Sequence, residues 1–146
     1  MTAPNPQGQP DAADPPFVLP REMRDQIVAH ARRDAPRECC GVIGGREGRV
    51  GTLHQLTNLD QGTDFYRIDD AELFRVYQQI DEDGGEIVAI YHSHPVSPAY
   101  PSPTDVRLAA WPDAHYLICS LADPDRPDLR AFRIVDGQIR EVAISE

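Results

Sequence analysis

The sequence predicts an α+β domain in which a mixed, largely antiparallel and curved sheet is flanked by two or three helices. Residues 87–91 form a run that is apolar on both faces of an extended chain, as expected for a strand inside a covered sheet. Apolar residues recur at helical spacing in residues 20–34 and again between Asp69 and Asp83. The pair Asp136-Gly137 lies between two short apolar segments, a pattern typical of a tight hairpin.

The length of 146 residues is that of a single domain. The formal net charge of -10 disfavours nucleic acid as a partner, because phosphate binding needs a basic surface. Every apolar run is shorter than the roughly 20 residues that span a bilayer, and the first residues lack the basic and apolar segments of a secretory signal. We therefore expect a cytoplasmic protein with neither a nucleic-acid nor a membrane partner.

The three cysteines do not form the pattern of a disulfide framework or of a cysteine-based zinc site. Cys39 and Cys40 are adjacent, and no C-x-x-C pair occurs. Buried, reduced thiols are the expectation for such a chain.

The first half of the chain predicts a tail, a helix and a hairpin. Residues 1–16 are rich in Pro, Asp, Gln and Ala, which predicts a disordered tail and places the domain at residues 17–146. Pro20 suits the first turn of a helix, and Pro36 ends that helix. The next predicted elements are strand 38–45, strand 50–57 paired with it as a hairpin, loop 58–63 and strand 65–68.

The second half begins with a helix capped by Asp69 or Asp70, with Glu72 completing a capping box from Asp69. In strand 86–94, simple alternation puts Val88 and Ile90 on one face and the odd-numbered apolar residues on the other. The remaining predicted elements are loop 95–103, helix 105–111, strand 115–121, turn 123–128 and a hairpin of 129–135 with 138–144.

Two histidines end the central strand. Side chains two residues apart on a strand project to the same side, so His92 and His94 face the same way and Ser93 faces the other. Packing gains nothing from two titratable rings side by side. Two imidazoles on a rigid strand end can, however, hold one metal ion.

Ser102-Pro103-Thr104-Asp105 follows the histidines and has two interpretations. It is a capping box with proline in the first helical position, which helix stability alone explains. Alternatively, Asp105 supplies a third metal ligand if the loop folds back over the strand end. A catalytic zinc needs about three such ligands, a carboxylate to move protons and a donor for the oxyanion. Ser102 is placed to be that donor, because the same helix start ties it to Asp105.

The spacing of His92, His94, Ser102 and Asp105 resembles the H-x-H-x7-S-x2-D signature of the JAMM (MPN-plus) metalloproteases. Glu38, in a Glu-Cys-Cys-Gly segment, resembles the family's distant glutamate in order and setting. The resemblance implies that His92, His94 and Asp105 bind one zinc ion per chain, with water as the fourth ligand. It also implies that Glu38 is the general acid/base and that Ser102 helps to stabilise the tetrahedral intermediate.

The likeness covers about residues 19–144 and implies the family's three-layer α/β/α, cytidine-deaminase-like fold. Segments 65–69 (Phe-Tyr-Arg-Ile-Asp) and 112–116 (Pro-Asp-Ala-His-Tyr) resemble the short actinobacterial members. Those peptidases release cysteine from a ubiquitin-like sulfur-carrier protein. The resemblance therefore implies hydrolysis of the amide bond at the carrier's carboxyl-terminal glycine, with release of cysteine or a peptide.

Other functions stay open for the same residues. One is an isopeptidase that removes a ubiquitin-like modifier from proteins, and another is a cell-wall or phage-type peptidase. The non-enzymatic alternative is a catalytically inert MPN scaffold, which the intact set of five signature residues argues against. The family also allows a homodimer, and no stretch of this sequence specifies one.

Overall fold

The computed structural model describes residues 14–60, 63 and 66–146. Within these ranges the chain forms three helices and eight strands. In chain order they are β1 Phe17–Val18, α1 Arg21–Asp34, β2 Cys40–Arg46, β3 Arg49–Leu56, α2 Asp70–Glu82, β4 Glu86–His94, α3 Pro103–Leu108, β5 His115–Ser120, β6 Asp128–Val135, β7 Gln138–Val142 and β8 Ile144–Ser145.

A six-stranded sheet with the strand order β3-β2-β4-β5-β6-β7 forms the centre of the domain. Its neighbouring strands are antiparallel except β4 and β5, which run parallel. β1 and β8 pair in parallel as a separate two-stranded sheet. The prediction of a mixed, largely antiparallel sheet is confirmed.

Helices cover both faces of the large sheet. α1 packs Ile27, Val28 and Ala31 into the core on one face. α2 packs Ile80 into a second core on the opposite face, where α3 contributes Val106. The three-layer arrangement that the family resemblance implied is therefore present, and the end of β4 lies in its middle layer.

A β-bulge in β4 changes the predicted alternation. Val88 opposes no residue of β2, because the register between the two strands shifts at this point. Val88 consequently packs with Ala89 on the α1 side, whereas Ile87 packs with Ile90 on the α2 side. The prediction that Val88 and Ile90 share a face is wrong, since one extra residue reverses the alternation before Ala89.

The start of α2 is partly as predicted. The Asp69 carboxylate caps the helix by accepting hydrogen bonds from the amides of Ala71 and Glu72. The predicted box is wrong, because the Glu72 carboxylate accepts from the amide and the hydroxyl of Thr57 instead. Glu72 thereby ties α2 to the end of β3.

Several other boundaries differ from the prediction, including that of strand 38–45, which begins at Cys40 and ends at Arg46. α3 begins at Pro103 rather than 105, because Ser102 caps it, and it ends at Leu108 rather than Trp111. Predicted strand 65–68 is reduced to one bridge between Asn58 and Ile68, and Phe65 lies outside the described residues. The last predicted strand ends at Val142, after which β8 leaves β7 and pairs with β1.

Two tight turns connect neighbouring strands. Asp136-Gly137 joins β6 to β7 as predicted, with φ angles of 51° and 77°. Glu47-Gly48 joins β2 to β3 with φ angles of 52° and 75°. Positive φ at both central positions matches the twist of the flanking strands, and glycine supplies it without strain at the second.

The N-terminal part of the described chain contacts β5 and β7 of the large sheet. Residues 1–13 of the predicted tail lie outside the described ranges, and Asp14 pairs with Arg140 at 2.8 Å. The Phe17 ring contacts His115 at 4.7 Å between ring centroids. Burial lowers the pKa of His115 to about 4, and the nearby Arg133 acts in the same direction.

A buried histidine of α1 contacts the central strand. His30 of α1 is buried, and its Nδ1 lies 2.8 Å from the Tyr91 hydroxyl. The Tyr91 ring covers Gly41 of β2, where a Cβ atom would overlap it.

All three cysteines are free and buried, as predicted. Among the helices that the structure describes, none is long and apolar enough to cross a membrane.

Candidate functional site

The predicted histidine pair lies at the carboxyl end of β4. The bulge is nearer the start of this strand, so the alternation after Ile90 is regular and both rings face the α2 side. His92 and His94 are 1% and 4% exposed. In the sheet, His92 lies between Cys40 of β2 and Ile118 of β5. The backbone that carries the two imidazoles is thus held from both sides.

The crossover between β4 and β5 brings Ser102 and Asp105 to these rings. The Ser102 oxygen accepts a hydrogen bond from the Asp105 amide at 3.1 Å, and Asp105 Oδ2 accepts from the Ser102 amide at 2.9 Å. The predicted capping box is confirmed. Because the Ser102 oxygen is the acceptor in this bond, its own O–H hydrogen stays available as a donor.

The capping box and the cluster use the same carboxylate oxygen. Asp105 Oδ2 lies 3.2 Å from His92 Nε2 and 3.1 Å from His94 Nε2. The two Nε2 atoms are 3.1 Å apart. The two interpretations of this segment are therefore compatible: Asp105 caps α3 and faces both histidines.

The three atoms form a triangle that fits a metal ion. Tetrahedral zinc with ligand bonds of 2.0–2.1 Å separates its ligand atoms by about 3.3 Å, close to the observed 3.1–3.2 Å. Two imidazole nitrogens and one carboxylate oxygen are also a donor set that zinc favours in catalytic sites. Hydrogen bonds among these atoms alone would not need both nitrogens to converge on one carboxylate oxygen.

The tautomer of His94 supports the same orientation. His94 Nδ1 donates to the carbonyl oxygen of Pro98 at 2.8 Å. In the neutral ring this leaves the lone pair on Nε2, the nitrogen that faces Asp105 and His92, whereas in the protonated ring Nε2–H donates to the Asp105 carboxylate. A backbone carbonyl behind the ligating ring is a frequent outer partner of metal-binding histidines.

The charges in the cluster favour an ionised carboxylate. Burial alone would raise the pKa of Asp105, but hydrogen bonds to His92 and His94 outweigh it and hold that pKa well below the usual range. Burial lowers the pKa of His92. Burial acts the same way on His94, but Asp105 and the Pro98 carbonyl outweigh it and raise the pKa of that ring. A neutral His92 and an ionised Asp105 are the states that bind cations.

Glu38 lies beside the histidines, two residues before β2 begins at Cys40. Its side chain is 3% exposed, and one carboxylate oxygen is within 4.8 Å of a ring nitrogen of each histidine. The Asn58 side-chain amide donates to the Glu38 carbonyl oxygen at 2.9 Å. The structure thus brings together all five sequence-predicted residues, with the Glu38 carboxylate beside the two histidines of the triangle.

Ser93, between the two histidines, holds the next residue after Glu38. The Ser93 hydroxyl accepts from the Cys39 amide at 2.8 Å, and the Ser93 amide donates to the Cys39 carbonyl oxygen at 3.1 Å. Ser93 itself is fully buried. We call this double contact the Ser93–Cys39 clamp.

Sequence reasoning missed two further groups around the cluster. The Tyr66 ring stacks on the His92 ring, with centroids 4.6 Å apart and an interplanar angle of 27°. Burial raises the pKa of Tyr66, so its phenol is neutral. Asn58 Oδ1 accepts from the amides of Asp60 and Arg67, which fixes the chain on both sides of residues 61–65. An aromatic residue before a helix cap gives no sequence signal for such a role.

The chain is similar to known proteins over nearly its whole length. The model of the family described as prokaryotic homologs of the JAB domain matches residues 20–135. A CysO-cysteine peptidase of Mycobacterium tuberculosis is 46% identical over 132 residues, 88% of this chain and 90% of that protein. A desampylase of Haloferax volcanii is 38% identical over 136 residues, 87% of this chain and 94% of that protein.

A solved structure gives the same result. The solution structure of a protein from Desulfitobacterium hafniense has a TM-score of 0.79 and is 36% identical, covering 88% of this chain and 90% of that one. The family match over residues 20–135 includes β4 and the crossover, which carry the cluster.

Proposed function

The chain belongs to the family of prokaryotic homologs of the JAB domain, and from that premise we propose that it is a zinc-dependent peptidase. The proposed reaction is hydrolysis of the amide bond at the carboxyl-terminal glycine of a ubiquitin-like sulfur-carrier protein, with release of cysteine or a peptide. The observation that carries the proposal is the triangle of His92 Nε2, His94 Nε2 and Asp105 Oδ2, with sides of 3.1–3.2 Å.

His92, His94 and Asp105 would hold the metal. A zinc ion bound there supplies a Lewis acid that lowers the pKa of water and polarises a carbonyl. The role of the three side chains is to present two neutral nitrogens and one ionised oxygen in a fixed arrangement. The strand fixes the backbone that carries the two rings and the capping box fixes the oxygen, which limits the reorganisation needed on binding.

Glu38 would move the protons of the reaction. Its carboxylate takes a proton from the attacking water as the new C–O bond forms, and then gives that proton to the leaving amine nitrogen as the C–N bond breaks. Burial of the Glu38 side chain keeps bulk water from competing for the proton. The O–H of Ser102 would donate a hydrogen bond to the carbonyl oxygen as negative charge develops on it.

The substrate class rests on the similar proteins. Nearly half of the aligned residues are shared with a CysO-cysteine peptidase, which favours a carrier joined to cysteine. The similarity to a desampylase supports a second candidate, an isopeptidase acting on a ubiquitin-like modifier joined to a protein. Both candidates use the same proton transfers and differ in the leaving amine, which is that of cysteine in one and of a lysine side chain in the other.

We also propose that the protein works in the cytoplasm. The three cysteines are buried and free although two of them are adjacent in the chain. Thiols persist in this state in a reducing compartment.

The first test measures zinc per chain and cleavage of a purified ubiquitin-like carrier extended at its terminal glycine by cysteine. We expect about one zinc ion per chain in the wild type, little in His92→Ala, and wild-type content in His54→Ala, a histidine of β3 that lies opposite Val42 with its ring against Thr52 rather than in the cluster. Glu38→Gln should keep its zinc and lower kcat by about 10²- to 10⁴-fold. A folded wild type that binds no zinc would disprove the proposal.

A second test separates the two substrates. The same enzyme is given the linear carrier–cysteine adduct and a lysine-linked conjugate of the same carrier. We expect a higher kcat/KM for the linear adduct. The reverse order would replace the first candidate with the isopeptidase.

A further inference from the structure

The two histidines of the cluster are held in different ways. The His94 ring is fixed by the hydrogen bond from its Nδ1 to the Pro98 carbonyl oxygen. His92 Nδ1 is also buried, but it makes no hydrogen bond within the described part of the chain. The plane of the His92 ring therefore needs another constraint if Nε2 is to point at Asp105.

The strands on either side do not supply that constraint. Cys40 and Ile118 flank His92 in the sheet and fix its backbone. Rotation of an imidazole about its own side-chain bond is a soft motion, with broad preferences rather than sharp wells. Backbone register alone leaves the direction of Nε2 undefined.

Tyr66 provides a flat surface against this ring. The two rings are nearly parallel, at 27°, with 4.6 Å between centroids. The amide of Arg67, the residue after Tyr66, donates to Asn58 Oδ1 at 2.9 Å. Asn58 in turn donates to the Glu38 carbonyl oxygen, so the Tyr66 backbone is anchored next to the site.

We propose that Tyr66 is a positioning residue whose ring holds the His92 imidazole in the plane that directs Nε2 into the metal site. The inference rests on the proposed zinc function and adds to it a residue outside the family signature. Two physical effects favour it. The stack restricts the ring before the metal arrives, so less side-chain freedom is lost on binding. An imidazole that donates electrons to a cation becomes electron-poor, and the face of a tyrosine ring attracts such a group.

The experiment compares zinc affinities of the full chain by competition with a chromophoric chelator at fixed pH. Tyr66→Ala should weaken zinc binding about tenfold, the size found when outer partners of metal ligands are removed. Tyr66→Phe keeps the stacked ring, and its zinc affinity should stay within about twofold of that of the wild type, because the stack does not involve the hydroxyl. Tyr77→Ala removes an exposed tyrosine of α2 and should leave the zinc affinity unchanged.

Thermal unfolding of the metal-free variants separates positioning from general stability. Tyr66→Leu fills the space without an aromatic face, so it should keep the melting temperature closer to the wild type than Tyr66→Ala and still lose the affinity. Wild-type affinity in Tyr66→Leu or Tyr66→Ala would overturn the inference and leave the zinc peptidase intact. Equal losses in Tyr66→Phe and Tyr66→Ala would assign the effect to the hydroxyl and overturn it too. A wild type that binds no zinc would remove both proposals together.

Discussion

Replacing Ser93 by alanine tests whether the residue between the two histidines positions Glu38. The hydroxyl is the acceptor for the Cys39 amide, and Ser93 is fully buried. Alanine leaves that amide without its acceptor in a site that water does not reach. A buried donor left unsatisfied costs about 1–3 kcal/mol.

This cost predicts a measurable fall in the melting temperature, Tm. Unfolding entropy of about 2.1 cal/mol/K per residue gives about 0.3 kcal/mol/K for a chain of this size. A loss of about 2 kcal/mol therefore lowers Tm by about 6 °C. Zinc content should be unchanged, because the Ser93 side chain faces the α1 side and the histidines face the other.

The functional effect follows from the neighbouring residue. Cys39 directly follows Glu38, and a shift of a catalytic group by about 1 Å can lower turnover about 10²-fold. We expect kcat for the carrier–cysteine adduct to fall about 10- to 100-fold in Ser93→Ala. Ser97→Ala, an exposed serine of the following loop, is the matched control and should behave as the wild type.

Two results would refute this reasoning. A Tm of Ser93→Ala within about 1 °C of the wild type would mean that the clamp contributes no stability. A lower Tm with unchanged kcat would mean that Glu38 is positioned without the clamp, for example by the contact of its carbonyl with Asn58.

Three further predictions concern other parts of the molecule. Ser102→Ala removes the α3 cap and the proposed oxyanion donor, so we expect Tm to fall by an amount equivalent to about 1 kcal/mol and kcat to fall about 10²-fold; a lower Tm with full kcat would leave Ser102 with only its cap. Gly41→Ala should unfold the domain or lower its stability by about 3 kcal/mol or more, because the new Cβ overlaps the Tyr91 ring; chemical denaturation with a wild-type midpoint would contradict this packing. The pKa of His115 is lowered to about 4 in the fold, so the unfolded chain binds more protons between about pH 6.5 and pH 4. Stability should therefore fall as the pH falls through this window, by at most about 3 kcal/mol from this group, and denaturation of His115→Gln across the same window should show a shallower loss; equal slopes would refute the assignment.

The features that sequence predicts well are those set by short-range geometry. His92 and His94 share a face because the alternation of a strand guarantees it once the strand is regular. Ser102 and Asp105 meet because a capping box fixes the distance between its first and fourth residues. These local rules predict that His92 lies beside His94 and that Ser102 lies beside Asp105. The family signature predicts that the two pairs meet, which accounts for four of the five predicted residues.

The features that sequence could not predict depend on contacts between distant segments. Val88 changes face because β2 and β4 pair with an offset, which no pattern within residues 86–94 reveals. Glu72 leaves the predicted capping box because Thr57 of another segment offers two donors. The segment between Tyr66 and His92 includes α2, so the contact between the two rings depends on how that whole segment folds. In each case a tertiary contact outweighs a local preference.

The parallel pairing of β4 and β5 has a consequence for how this architecture can vary. Two parallel neighbours cannot be joined by a tight turn, so the chain must cross from His94 to His115 outside the sheet. The two nitrogens of the cluster belong to the sheet, whereas Ser102 and Asp105 belong to this connecting segment. Replacing the connection can therefore remove the reaction and leave the six-stranded framework standing. The same architecture can therefore occur with or without the cluster, depending on the sequence of this one connecting segment.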